Sequence, residues 1–278
     1  MDPLTEPARA LAFTCLMPVW NGDDPDHFRA ALDSLTRSSL RPTEVLIAVD
    51  GELAPPLADV VREAQGAGAR VSANGGPRGL HHNLNQALAG VRTPWVARFD
   101  ADDLNMPDRF QRQTDFLIDH PEVAVLGGAI VEFDEAGRDR IKAMPLSHEA
   151  IVRQARWRNP INHMSAFFRT GAVLDAGGYP ALPRKEDYAL WLVLIARGER
   201  LANLVEPLVR ARLGPNFHGR RAGLHNLSSE YALFRRKRRI AGIGAGPALA
   251  ALAALALRAG LLAFEGPAAL VYERALRR

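Results

Sequence analysis

Short apolar runs alternate with helical patterns through the first third of the chain, and this alternation limits the possible folds more than any other feature. The apolar, β-rich runs are residues 12–19, 44–49, 69–73 and 95–99. The segments between them that predict helices are residues 27–36, 57–65 and 80–89. Strands that alternate with helical segments are typical of a parallel sheet covered by helices on both faces. We therefore predict an α/β fold built on a mostly parallel sheet.

Each predicted strand is followed by polar or glycine-rich residues. These loops are PVWNG at 18–22, Asp50–Gly51, NGGPRG at 74–79 and DADD at 100–103. Ordinary turns explain any one of them equally well, because Gly, Asn and Asp are common turn formers. Ligands of open α/β sheets bind beyond the carboxyl ends of the strands. Four such loops in register therefore favour a binding site at this edge.

The remainder of the chain predicts fewer regular elements. The pattern indicates a helix over 107–119, a strand over 123–133, a less regular middle and a helix over 186–197 that ends at Gly198. There is no internal repeat and no long linker. We therefore predict one main domain over residues 1–240 and a C-terminal helical appendage over 241–278.

Two groups of acidic residues are candidates for chemistry. Asp100, Asp102 and Asp103 follow a predicted strand, and Mg²⁺ prefers one or two carboxylates together with water and substrate phosphates. The same acids could instead cap the next helix. Glu186 and Asp187 begin the last predicted helix, where carboxylates gain from the helix dipole. Capping and catalysis are both open for this pair on the residues alone.

Several motifs, taken in order along the chain, carry a resemblance. They are PVWNG, the strand end at Asp50, RFDADD, NPINHMSAFFR and KEDYALWLVLIARG. This series resembles the motifs of family 2 glycosyltransferases, most closely the bacterial members that build polysaccharides and exopolysaccharides. The resemblance extends over most of residues 13–240. It implies the GT-A fold of nucleotide-diphospho-sugar transferases and a glycosyltransferase activity for residues 1–240.

The resemblance also implies which residues bind the nucleotide sugar. The residues that it assigns to the donor are Pro18, Asn21, Asp50, Arg78, Asp100, Arg220 and Arg221. Asp50 would contact the base, and Asp100 would lie near the ribose. Arg220 and Arg221 stand where some members carry a Gln/Arg/Trp signature, and either one could stabilise the diphosphate.

The metal and the base follow from the same resemblance. Asp102, together with Asp100, would hold Mn²⁺ or Mg²⁺ at the diphosphate, and Asp187 would be the catalytic base of an inverting transfer. Glu186, Trp191 and His163 would lie on the acceptor side. Trp191 follows Asp187 by one helical turn and would share its face. For Trp191 and His163 a position in the core is the alternative.

The distribution of charge limits the partners. Nine Lys or Arg residues and one acid, Glu230, lie between Leu208 and Arg239, whereas the net charge of the whole chain is only +4. A basic segment of this kind fits a nucleotide diphosphate, an anionic membrane or nucleic acid. We expect no nucleic-acid partner, because only Phe217, Tyr231 and Phe234 interleave the arginines.

The C-terminal tail and the N-terminus indicate a location. Residues 243–257 are uncharged and alanine-rich, and Arg258 interrupts the run, so an interfacial helix fits better than a membrane span. A helix that packs on the domain is the alternative. The first residues carry acids where a signal peptide carries Lys or Arg, and Cys15 is the only cysteine. We expect a cytoplasmic protein that contacts the inner face of the cell membrane and uses a glycan or lipid-linked acceptor.

A second enzyme class, the sugar-phosphate nucleotidyltransferases, shares the general architecture. Those enzymes are expected to carry a glycine-rich loop with Arg and Lys after the first strand, and PVWNG lacks these features. A nucleic-acid-binding module that uses residues 208–239 is a less favoured alternative.

Overall fold

A computed structural model describes residues 11–134, 137–213, 231–233 and 235–236. The chain divides into two compact units, Met1–Leu213 and Gly214–Arg278. All the elements named below lie in the first unit. The predicted catalytic domain over 1–240 stays a prediction, because residues 214–230 lie outside the described part.

The first half of this unit is a series of strand–helix repeats. Its elements are β1 (Phe13–Trp20), α1 (Pro25–Thr36), β2 (Glu44–Asp50), α2 (Pro55–Gly66), β3 (Arg70–Asn74), α3 (Leu80–Ala89) and β4 (Trp95–Arg98). The four strands lie in the order β3-β2-β1-β4, and all of their pairings are parallel. The alternation in the sequence therefore predicted these elements to within two residues at each end.

The second half extends the same sheet with both parallel and antiparallel pairings. Its elements are β5 (Leu104–Asn105), α4 (Arg109–Asp119), β6 (Val123–Phe133), β7 (Asp139–Lys142), α5 (His148–Ala155), a 3₁₀ turn (His163–Ser165), β8 (Phe167–Arg169), α6 (Thr170–Asp175), α7 (Glu186–Ala196) and β9 (Arg200–Arg212). β8 is antiparallel to both β4 and β6, whereas β9 is parallel to β6 and antiparallel to β5. The predicted α/β fold is confirmed, and its mostly parallel part is followed by a mixed region.

β9 is the main element that the sequence pattern did not predict. Its buried residues include Leu201, Leu208 and Val209. The register against β6 shifts where Gly128 pairs with Leu204 and the next residue pairs with Pro207. This bulge interrupts the alternation of apolar and polar residues, which is the pattern by which a strand is recognised. The start of the basic segment is therefore a strand of the central sheet.

The core beneath the site is aromatic. The ring of Phe13 lies 5.0 Å from that of Phe110 and 4.9 Å from that of Phe167, and all three are buried. Arg109 is also fully buried here, and its Nη2 donates a 2.8 Å hydrogen bond to the backbone oxygen of Arg98. Buried polar groups of this kind are retained where each donor finds a partner. This bond holds the end of β4, from which the DADD loop departs.

Candidate functional site

Parallel pairing brings the ends of the first strands to one edge of the sheet. Trp20 at the end of β1 pairs with Asp50 at the end of β2, and Asp50 in turn pairs with Asn74 at the end of β3. The acidic loop, residues 100–103, follows β4 at the same edge. The loops that the sequence singled out therefore meet.

Asp50 accepts hydrogen bonds from the glycine-rich loop that follows β3. Its Oδ1 accepts hydrogen bonds of 2.8 Å from Asn74 Nδ2 and from the backbone amide of Arg78, and its Oδ2 accepts one of 2.9 Å from the amide of Gly79. A carboxylate has about four acceptor positions, so one remains for a ligand. Arg78 is exposed beside it. Two of the residues predicted to bind the donor are thus in contact.

The loop after β1 is also tied to its neighbours. Asn21 Oδ1 accepts a 2.6 Å hydrogen bond from the amide of Ala54, the residue that precedes α2. Pro18 is buried within β1, two residues before the exposed Trp20. The side chain of Trp20 is 55% exposed although it ends a central strand. Trp20 was not among the predicted site residues, although an aromatic residue at a strand end was the available signal.

Three carboxylates of the DADD loop form a cluster. One oxygen of each of Asp100, Asp102 and Asp103 lies within 4.8 Å of the others. Asp103 Oδ1 accepts a 2.9 Å hydrogen bond from the amide of Arg212 in β9, whereas its buried Oδ2 has no partner among the described residues. Burial, and then the charge of Asp100, raise the pKa of both Asp102 and Asp103. A hard divalent cation would relieve this repulsion and would satisfy the orphaned oxygen, so the donor set fits such an ion.

Asp23 lies within the electrostatic reach of this cluster. Its Oδ2 accepts a 3.0 Å hydrogen bond from the amide of Trp20. Burial raises the pKa of Asp23 to about 7, and the charges of Asp102 and Asp100 add to that rise. Asp23 was not among the predicted site residues either.

Arg98 is a buried cation between the two acidic groups. Its guanidinium Nη1 forms an ion pair with Asp100, and its Nε has no hydrogen-bond partner among the described residues. Burial raises the pKa of both Asp102 and Asp187, and the positive charge of Arg98 opposes that rise at both carboxyls. Arg98 therefore stabilises the ionised form of an acid in each group.

Asp187 lies in the first turn of α7 and is half-buried. Its Oδ2 accepts a 2.6 Å hydrogen bond from Asn159 Nδ2. Burial raises the pKa of Asp187, while the amide of Tyr188 and the side chain of Asn159 stabilise its ionised form and limit the rise. A carboxylate that is oriented by one donor and has a raised pKa suits proton abstraction.

Glu186, the neighbour of Asp187, has a different environment. It is buried, and its Oε2 has no hydrogen-bond partner within the described part of the chain. Burial raises the pKa of Glu186 to about 7. The residue at the N-cap of α7 is Lys185, which makes no side-chain cap hydrogen bond. Neither acid is the N-cap residue itself, but both lie in the first turn of α7, where the amide of Tyr188 stabilises ionised Asp187.

His163 and Trp191 pack against each other behind the acids. His163 Nε2 lies 2.9 Å from the hydroxyl of Tyr179, and burial lowers the pKa of His163 well below its ordinary value, with a further contribution from Arg98. Its ring meets Trp191 edge-on at 6.2 Å. Trp191 is fully buried, so it is a core residue in this structure and offers no face to a pocket.

Some predicted features lie outside the described residues. These are Arg220, Arg221 and the appendage over 241–278. Within the part of the chain that the structure describes, no helix has the length and the apolar character needed to cross a bilayer.

Solved structures of other proteins share this fold. The chain superposes on S. aureus TarS 1-349 in complex with UDP-GlcNAc with a TM-score of 0.69 at 18% identity, covering 89% of this chain and 72% of that one. It spans only 43% of the longer TarS chain. The mannosyltransferase PcManGT from Pyrobaculum calidifontis in complex with GDP-Man and Mn²⁺ matches with a TM-score of 0.57 at 19% identity, covering 99% of this chain and 82% of that one. The fold is that of the GT-A glycosyltransferases.

The family follows from the sequence comparisons. The model of glycosyl transferase family 2 matches residues 14–188. An amylovoran biosynthesis glycosyltransferase of Erwinia amylovora is 35% identical over 226 residues, which cover 81% of this chain and 85% of that protein. A UDP-Gal:alpha-D-GlcNAc-diphosphoundecaprenol beta-1,3-galactosyltransferase of Escherichia coli is 31% identical over 234 residues, covering 78% and 80%. The chain belongs to glycosyl transferase family 2 and is a glycosyltransferase, which confirms the resemblance.

Proposed function

We propose that this chain is an inverting, metal-dependent enzyme that transfers a sugar from a nucleoside-diphosphate sugar to a glycan or lipid-linked acceptor during the synthesis of a surface polysaccharide. The observation that carries this proposal is the cluster of Asp100, Asp102 and Asp103 at the end of β4, where Arg98 forms an ion pair with Asp100. The names of the Erwinia and Escherichia relatives support two parts of the proposal, the synthesis of a polysaccharide and the use of a lipid-linked acceptor.

The donor side is formed by the loops after β1, β2 and β3. The remaining acceptor position on Asp50 would take a hydrogen bond from an N–H group of the base. The exposed Trp20 offers an apolar face, and the exposed Arg78 offers donors for the phosphates. Pro18 and Asn21 act indirectly, because they shape the loop that carries Trp20.

Asp100, Asp102 and Asp103 would hold Mn²⁺ or Mg²⁺. The ion would take up the negative charge that develops on the leaving diphosphate. Asp103 contributes Oδ2, the oxygen that lacks a partner, while the β9 amide of Arg212 fixes its Oδ1. Arg98 keeps Asp100 oriented through their ion pair.

Asp187 would accept the proton of the acceptor hydroxyl. That oxygen then attacks the anomeric carbon from the face opposite the diphosphate, the bond to the diphosphate breaks, and the configuration inverts in one displacement. One carboxylate is sufficient for this sequence, and Asn159 holds it in position. Because burial raises the pKa of Asp187, we expect activity to fall as the pH drops through that raised value. Glu186 Oε2 is the neighbouring oxygen for a second acceptor hydroxyl.

The substitution Asp187→Asn tests this proposal. Asn keeps the volume but accepts no proton, so we expect turnover to fall by roughly 10²- to 10⁴-fold. Donor binding is expected to persist. Transfer from a panel of radiolabelled UDP-, GDP- and dTDP-sugars to a bacterial membrane extract measures turnover, and calorimetry with the matching nucleotide measures binding.

The matched control is Asp26→Asn, which alters an exposed acid in the first turn of α1. We expect this control to keep full turnover. Near-normal turnover of Asp187→Asn would remove Asp187 as the base.

A further inference from the structure

A basic and aromatic segment covers the last turn of α5 and the residues after it. We call residues 153–158, which contain Arg153, Arg156, Trp157 and Arg158, the Arg-Trp turn. The amides of Trp157 and Arg158 both donate to the backbone oxygen of Gln154, at 2.9 and 3.0 Å. The indole of Trp157 projects outward and is 56% exposed. The segment therefore presents an exposed indole among arginines, an apolar face with charged groups on either side.

Two hydrogen bonds attach this turn to the first residues of α7. The hydroxyl of Tyr188 donates to the backbone oxygen of Ala155 at 2.7 Å, and Asn159 Nδ2 donates to Asp187 Oδ2 at 2.6 Å. Ala155 and Asn159 flank residues 156–158 on either side. Trp157 therefore belongs to a segment that is attached to the first turn of α7, two residues before the Asn159 that holds the proposed base.

The positive charge of the turn is not neutralised locally. Residues 150–174 contain no Asp or Glu, and no carboxylate of the described residues forms an ion pair with Arg153, Arg156 or Arg158. Arg153 and Arg158 are exposed, whereas the Nε of Arg156 is buried and lacks a hydrogen-bond partner among the described residues. The turn therefore carries three arginines whose charge no carboxylate of the described residues pairs with, a surface that suits an anionic ligand.

Two chemical features of a ligand follow from these groups. Guanidinium groups match the oxygens of a phosphate and can bind it through two parallel hydrogen bonds. The flat apolar face of an indole suits the C–H face of a sugar ring, while its edge stays in water. A sugar that carries phosphate groups fits both features. The donor diphosphate is assigned to the DADD loop, so the second phosphate-bearing sugar at Asp187 is the acceptor.

We propose that the Arg-Trp turn binds an acceptor whose sugar is joined to a lipid through a diphosphate. Trp157 stacks on the acceptor sugar, and Arg153, Arg156 and Arg158 hold its phosphates. This inference rests on the proposed function, because it is the reaction at Asp187 that makes this segment the acceptor side.

Binding of short-chain lipid-linked sugars to the full chain tests the inference. The probes are farnesyl diphosphates that carry N-acetylglucosamine, glucose or galactose, and isothermal titration calorimetry measures their binding. We expect at least one probe to bind. The double variant Arg153→Gln/Arg158→Gln and the single variant Trp157→Ala are each expected to raise its Kd about tenfold or more, since hydrogen bonds to charged groups are the strong ones. Wild-type Kd values in these variants would overturn the inference.

Two comparisons separate the possible sources of the anionic group. The octyl glycoside of the same sugar lacks phosphate and is expected to bind at least tenfold more weakly than the probe. Sedimentation with phosphatidylglycerol vesicles is expected to be equal for the wild type and the double variant. Vesicle binding that disappears in the double variant while the Kd for the probes is unchanged would make the turn a membrane contact and would overturn the inference.

The control variant is Arg37→Gln/Arg62→Gln. Both of these arginines are exposed and lie toward the ends of α1 and α2, which run back from the site edge. We expect this control to bind the probes as the wild type does. Calorimetry with UDP, GDP, dTDP and CDP in the presence of Mn²⁺ runs in parallel. Absence of nucleotide binding in the wild type would refute the proposed function, whereas intact nucleotide binding with unchanged probe binding in the turn variants would refute the inference alone.

Discussion

Replacement of Arg98 by Met should destabilise the protein more than the loss of any exposed ion pair. The side chain of Arg98 is 3% exposed, and that of its partner Asp100 is 28% exposed. Removal of one member of a buried pair typically costs about 3–5 kcal/mol, because the other charge is left without compensation. Water reaches part of Asp100, so we expect a loss near the lower limit, about 3 kcal/mol. Met keeps the apolar stem, so the change isolates the charge.

Urea unfolding followed by circular dichroism measures this loss. In a unit of about 200 residues, a loss of 1 kcal/mol in the free energy of unfolding lowers the melting temperature by roughly 2–4 °C. In thermal unfolding, the melting temperature of Arg98→Met should therefore fall by about 6–12 °C. The control is Arg29→Met, which removes an exposed ion pair with Glu63 at 3.2 Å. Pairs of that kind contribute about 0–1 kcal/mol. If Arg98→Met loses no more than the control, the buried pair does not stabilise the end of β4.

Two further predictions follow from buried groups. Cys15 is fully buried, and burial raises the pKa of its thiol to about 12. The folded protein should therefore not react with a thiol reagent such as dithionitrobenzoate. Rapid labelling of Cys15 in native buffer would contradict this prediction. Because burial lowers the pKa of His163, the unfolded chain binds a proton below about pH 6.5 that the folded chain excludes, and stability should fall with decreasing pH. Urea unfolding of the variant His163→Gln should show a weaker dependence of the unfolding free energy on pH. If the unfolding free energies of the wild type and the variant change equally with pH, this prediction is refuted.

The first half of the fold was predictable because its information is local. β1 to β4 are short apolar runs that end in polar residues, and the parallel connections between them bring those ends together. β9 was not predictable in this way. The bulge at Val205–Glu206 breaks its alternation, and its partner β6 lies about 80 residues earlier in the chain.

The site shows the same division between local and long-range information. Asp50, Asp100, Asp102 and Asp187 stand in motifs, so the sequence alone could select them as candidates. In the structure, Asp50 and Asp187 accept hydrogen bonds from neighbouring loops, and Asp100 and Asp102 lie in one acidic cluster. Arg98 and Asn159 also stand in quoted motifs, RFDADD and NPINHMSAFFR, but the burial of Arg98 and the partner of Asn159 depend on the fold. Asn159 lies 28 residues before the carboxylate that it orients, and no spacing rule relates the two.

Trp191 shows a limit of arguments from helical spacing. It lies one turn after Asp187, yet it is fully buried. The helix α7 is covered on nearly all sides, with Tyr188, Leu190 and Leu194 buried as well. On such a helix a shared face does not indicate exposure to a pocket.

Titration of the wild type and Asp102→Asn with UDP, GDP, dTDP and CDP, each with Mn²⁺ and with a chelator, tests the central claim most directly. The claim is that the carboxylates at the end of β4 bind a nucleotide diphosphate through a divalent cation. We expect one nucleotide to bind the wild type at least tenfold more tightly with Mn²⁺, and we expect Asp102→Asn to lose that increment while it keeps the weak metal-free binding. Metal-dependent affinity that is equal in the two proteins would contradict the claim.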